Sequence, residues 1–124
     1  MRDKPPDTAA FHRSAELQHQ MEQIGARFLD RVLPDLDAME ELLAELGAGN
    51  ASAAAALEMV AHRIRGSSAI FGFSMLSEAA GAIEALLASV QLHGDPVVAM
   101  PAIAEGMAAV RSAAQALGAS HTAR

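Results

Sequence analysis

His62, Arg65 and Gly66 stand within little more than one helical turn of each other. Neutral imidazole is a competent nucleophile near neutral pH, and one ring nitrogen can attack while an acceptor holds the other. Arg65, three residues on, lies within reach of anything attached to that ring, and a cation there would offset the charge of a phosphoryl group. Gly66 is the sharpest anomaly, because a glycine inside a helix costs about 1 kcal/mol relative to alanine. It falls one turn after His62 and opens space beside the ring for a bulky partner, and Ala69 extends this low surface by another turn. Two carboxylates are candidates to fix the imidazole tautomer: Glu84, and Glu58 one turn before His62.

These residues need a helix to share a face, and the apolar spacing supplies one. Ala53, Leu57, Val60, Ile64 and Phe71 fall on one side of a helix from about Ala51 to Phe71, with Gly72 as its stop. The stripe centres almost opposite His62, which therefore points outward with Glu58, Met59, Arg65, Gly66 and Ala69 around it. Before this segment, Leu17, Met21, Ile24 and Phe28 begin a stripe that Leu29, Leu33, Leu36, Met39, Leu43 and Leu46 carry onward. A short helix carrying Phe11 and Ala15 either precedes it or runs on into it, and Pro34 should kink or split it. After it, Ser74 is expected to cap a helix with the stripe Leu76, Ala80, Ile83, Leu87 and Val90, whose edge carries Glu84. Asp95 and Pro96 open a last helix with Met100, Ile103, Met107, Val110, Ala114 and Leu117. The expectation is an all-α, antiparallel up-down-up-down four-helix bundle with a short or kinked N-terminal helix. The bundle is expected over residues 9–118, between a flexible tail at 1–8 and another at 119–124.

Composition agrees and excludes much else. The 124 residues are 52% hydrophobic but only 3% aromatic, which suits close helix packing better than sheets. Nine Lys and Arg spread through a chain of net charge −6 disfavour nucleic-acid binding. With no Cys there is no disulfide, thiol nucleophile or thiolate metal site. The start is not a secretory signal, and no uninterrupted apolar run of about eighteen residues crosses a membrane, so a cytoplasmic protein is expected.

The run from His62 to Gly72 resembles the histidine-containing phosphotransfer (HPt) domains of phosphorelays. That family's pattern is a His, a basic residue three later, Gly, two small residues and a second Gly, then a Leu and an acidic or amide residue on the next helix. Here these positions hold His62, Arg65, Gly66, Ser67, Ser68, Gly72, Leu76 and Glu84. Phe28-Leu29, Leu33-Pro34 and Leu36 are similar to the family's first long helix, and the resemblance spans roughly residues 17–117. It implies that His62 accepts a phosphoryl group on Nε2, that Arg65 neutralises phosphate charge where many members have Lys, and that Glu84 accepts a hydrogen bond from Nδ1 where many have Gln. The implied partners are receiver domains of hybrid sensor histidine kinases and of response regulators, docking around Met59, Arg63, Gly66, Ala69, Ile70 and Phe73. The implied carrier is a monomer with no cofactor of its own, Mg²⁺ residing on the receiver. No Walker motif or kinase glycine lid is present, so a phosphoryl carrier is expected in place of an enzyme.

Other readings stand beside this one. The chain could be the phosphoacceptor domain of a chemotaxis-type histidine kinase, or a non-phosphorylated helical adaptor that binds receivers. Gly66 could instead let another helix of the bundle approach, and Ser67 and Ser68 read as small spacers at helix contacts. Glu16 and His19 have the Glu-x-x-His spacing of di-iron bundles, with His12 nearby, but no second such pair exists, so no metal is expected. His93 and His121 fall in a turn and a tail, and Asp35, Asp37, Glu40, Glu41 and Glu45 read as a solvated face.

Overall fold

The computed structural model describes residues 8–122; of the tail expected at residues 1–8, residues 1–7 lie outside the described residues and Thr8 is already in the first helix. Four helices account for nearly all of them: α1 (Thr8–Gly47), α2 (Ala53–Ile70), α3 (Ser74–His93) and α4 (Pro96–Thr122). Each helix packs on two others: α1 on α2 and α4, and α3 on α2 and α4. The ring closes around Leu36, Met39, Leu57, Ile64, Leu76, Ile83, Leu87, Ile103 and Val110, all buried.

The helix ends follow local chemistry. Gly49 and Gly72 both adopt positive φ, at 102° and 76°. At each, the following amide bonds back across the last turn, Asn50 N–H to the Glu45 carbonyl at 3.0 Å and Phe73 N–H to the Ser68 carbonyl at 2.8 Å. This left-handed closure is cheap only for glycine. Asp95 caps α4 as expected, accepting the Val97 amide at 3.0 Å on Oδ1 with Pro96 as the first helical residue. Ser74 does not cap α3: Phe73 holds the cap position, and no side chain bonds the helix start. Phe73 is committed there by packing, since its ring lies 6.4 Å from that of Phe28 and 6.1 Å from that of Phe71.

Three further expectations change. α1 is one uninterrupted helix: the N-terminal segment runs on into it, and Pro34 does not split it. Pro34 is exposed, so the carbonyl that loses its partner can be solvated. Leu17, Met21 and Ile24 are not core residues, being 60%, 45% and 46% exposed. α4 runs past Gly118 and takes in His121. In addition, Ser74–Leu92 and Pro96–Ala119 are long and apolar enough to cross a bilayer by length and composition. In this fold part of that apolar content fills the core, through Leu76, Ala80, Ile83 and Leu87 on α3 and Ile103, Met107, Val110 and Ala114 on α4, while Met75, Leu92, Val97 and Val98 stay exposed.

Candidate functional site

α2 buries Ala53, Ala54, Leu57, Ala61, Ile64 and Ser68. The buried stripe is thus rotated from the expected one: Val60 and Phe71 are half-buried, and Ala61 and Ser68 take the core positions. Small residues there let α2 lie close to α3, and the Ser68 hydroxyl is satisfied by the Ile64 carbonyl at 2.5 Å. The rotation leaves His62 on the outside, with 64% of its side chain exposed.

One carboxylate gathers the site. His62 Nδ1 lies 3.1 and 3.2 Å from the two oxygens of Glu84, across from α2 to α3. An ionised carboxylate only accepts hydrogen bonds, so this contact keeps the proton on Nδ1 and leaves the Nε2 lone pair free. Among the described residues, Nε2 has no hydrogen-bond partner. Arg65 Nε donates to the same Glu84, at 3.2 Å to Oε2. Its Nη2 lies 3.4 Å from His62 Nδ1; with the proton on Nδ1 both atoms are donors, so this is a proximity and not a hydrogen bond, and the two side chains meet through Glu84. Such half-exposed pairs contribute about 0.2–1 kcal/mol to stability, so their consequence here is orientation. Glu58, the other candidate for the ring, is engaged by Gln91 Nε2 instead.

Gly66 faces open space, since a Cβ built on it would meet nothing within 4 Å. Helix packing within the bundle therefore does not account for it. Around it, Met59 and Ile70 are 65% and 73% exposed, and Arg63 and Ala69 are exposed too. Phe73 is half-buried in the cluster with Phe28 and Phe71, so it borders this surface and does not stand on it. Glu16 and His19 lie on the exposed half of α1, where the His19 ring meets Gln23 at 3.2 Å.

Two residues beside the site escaped the sequence reading. Ser77 Oγ donates to the Arg65 carbonyl at 3.0 Å, tying α2 to α3. Gly81 lies under the Arg65 side chain: a Cβ there would sit 3.2 Å from Arg65 Cδ. The signal at Gly81 is the one that singled out Gly66, a glycine inside a helix, but its neighbour is on another helix and depends on the register of α2 against α3.

Comparison with protein families matches residues 23–120 to the model described as Hpt domain, a span that takes in His62, Arg65 and Glu84. No curated protein and no solved structure matches the chain.

Proposed function

The chain belongs to the Hpt domain family, phosphocarrier modules of two-component phosphorelays, and from that premise we propose that His62 carries the phosphoryl group between receiver domains. The observation that supports this reading most is the His62–Glu84 contact, which leaves Nε2 as a bare, outward-facing nucleophile.

In the accepting step, the Nε2 lone pair attacks phosphorus on a receiver's phospho-aspartate. The P–O bond to the aspartyl carboxylate breaks, and its electron pair leaves with that carboxylate. Nδ1 keeps its proton throughout, so the phosphorylated ring is cationic, and the Glu84 carboxylate at 3.1 Å offsets that charge. Arg65 screens the phosphoryl oxygens. The onward step is the reverse, with imidazole as leaving group and an aspartate of a second receiver as nucleophile. Such transfer depends on in-line placement and charge stabilisation more than on covalent machinery. The receiver supplies its aspartate and its Mg²⁺, and this chain supplies the oriented ring.

Receivers dock on the surface of Met59, Arg63, Gly66, Ala69 and Ile70, with Phe73 at its border, where Gly66 lets the partner approach the ring. The donor receiver belongs to a hybrid sensor kinase, the acceptor to a response regulator, and the carrier works in the cytoplasm as a monomer. The helices alternate in direction as an up-down-up-down bundle, because connections as short as Gly94-Asp95 cannot carry a chain back along a helix.

The test mixes the purified chain with receivers carrying ³²P on aspartate, beside a His62→Gln control. Label on the unaltered chain alone, stable to base and lost in acid, is the expected result. Tight receiver binding with no label would replace the carrier reading with the adaptor one.

A further inference from the structure

We propose that Gly81 is a positioning residue for phosphoryl acceptance: the space where its side chain would stand is the track along which Arg65 crosses from α2 to Glu84 on α3. The proposal rests on His62 being the phosphoryl acceptor. Ser77, Gly81 and Glu84 follow one another at helical spacing on one face of α3. Each meets a successive part of Arg65. Ser77 Oγ bonds its backbone carbonyl at 3.0 Å, Gly81 underlies its stem, and Glu84 takes its Nε at 3.2 Å.

A larger residue would have to displace the stem. A Cβ at Gly81 would lie 3.2 Å from Arg65 Cδ and 3.9 Å from Cγ, the first tighter than ordinary carbon–carbon contact. Gly81 adopts no positive φ, so the backbone does not require glycine there. Close helix packing does not require it either, because the atoms that its Cβ would meet all belong to Arg65. At Gly106, by contrast, the Cβ would meet the buried Ile83. A glycine inside a helix is unfavourable relative to alanine or leucine, and here the compensation is the route it leaves for the arginine. Filling that route lifts the stem off α3 and takes Nε from Glu84. The carboxylate then loses one of the two groups that fix its orientation toward His62 Nδ1.

The experiment uses phosphoramidate, a donor too small to need the docking surface. His62 Nε2 attacks its phosphorus, the P–N bond breaks and ammonia leaves. Uptake is compared between the unaltered chain, Gly81→Leu, Arg65→Ala and the double variant, alongside the Arg65 Nε–H resonance and the thermal midpoint. For Gly81→Leu the expected results are a midpoint at or above that of the unaltered chain, a shifted Arg65 resonance, and uptake slower on the order of tenfold. In the Arg65→Ala background, Gly81→Leu should change uptake no further, since the stem is gone. Unaltered uptake with an unmoved resonance would overturn the proposal, as would an equal loss in both backgrounds. Gly81→Ala, adding one carbon, should move uptake and resonance in the same direction by less, which keeps the test open if Gly81→Leu folds poorly. No uptake by the unaltered chain would instead remove the acceptor reading, and this proposal with it.

Discussion

A nucleophilic nitrogen is useful only if phosphorus can come within bonding distance of it, and on a helix surface the neighbouring side chains usually prevent that. His62 escapes this because Gly66, one turn on, presents no side chain and has nothing above it within 4 Å. Replacing it with a long polar residue refills the space without touching the core. Gly66→Gln should leave helix content unchanged and raise stability slightly, as glycine is the poorer helix former by about 0.5–1 kcal/mol. It should abolish transfer from a receiver while leaving uptake from phosphoramidate nearly intact. Measuring both donors on one preparation checks this, and receiver transfer at the unaltered rate would remove the close-approach argument. The outward face of His62 was legible in the sequence because it depends only on the pitch of one helix. Helix spacing alone leaves Glu84 and Glu58 both open, because the choice depends on how far α3 slides along α2; the family resemblance points to Glu84, and the ring meets it. The claim of Gln91 on Glu58, which joins the same two helices, was not legible.

At the scale of the element, periodicity reports that a helix has an apolar face but not what covers that face. Leu17, Met21 and Ile24 repeat as regularly as Leu29, Val32, Leu36 and Met39, yet only the second group is buried. The cause is length. The 40 residues of α1 extend about 60 Å, whereas the 18 of α2 extend about 27 Å, so α2 cannot cover all of α1. Every described side chain from His12 to Ile24 is exposed. A contrast within the molecule tests this division. Leu17→Gln should shift stability by less than about 0.5 kcal/mol, the ordinary range for an exposed site. Gly106→Ala should destabilise by about 1–3 kcal/mol despite the better helix former. Its Cβ would stand 2.7 Å from Cγ1 of Ile83, a side chain only 1% exposed and closely held between α3 and α4. Urea unfolding of the two variants checks both. A stabilised Gly106→Ala chain would mean that α3 and α4 can separate more easily than this packing implies.

Across the whole molecule, the net charge of −6 conceals a strong polarity. No Lys or Arg occurs between Arg31 and Arg63, whereas Asp35, Asp37, Glu40, Glu41, Glu45 and Glu58 all fall in that interval. Arg111 on α4 reaches into this acidic stretch, bonding Asp37 and Glu40 at 3.0 Å each and tying α4 to α1. The hydrogen bond to Asp37, reinforced by Glu40, pushes the Arg111 pKa up. The other described cations lie elsewhere. Arg27 and Arg31 line one groove with Ser67 and Phe71, next to the turn that carries Gly66, while Arg63 and Arg65 flank His62. Neither Arg27 nor Arg31 forms a salt bridge among the described residues, so their field is directed at solvent. A partner with a carboxylate-rich surface would therefore be drawn to the arginines around His62 and repelled from the acidic stretch of α1. Screening shortens the reach of such a field from about 10 Å at 0.1 M salt to about 3 Å at 1 M. The second-order rate of transfer from a phosphorylated receiver should consequently fall by at least about tenfold over that range. The double substitution Arg27→Glu and Arg31→Glu should lower the low-salt rate and flatten the salt dependence. Uptake from phosphoramidate, which needs no oriented encounter, should be unchanged by the substitution. A receiver rate insensitive to salt would show that docking relies on the apolar surface of Met59 and Ile70, with the arginines contributing only after contact.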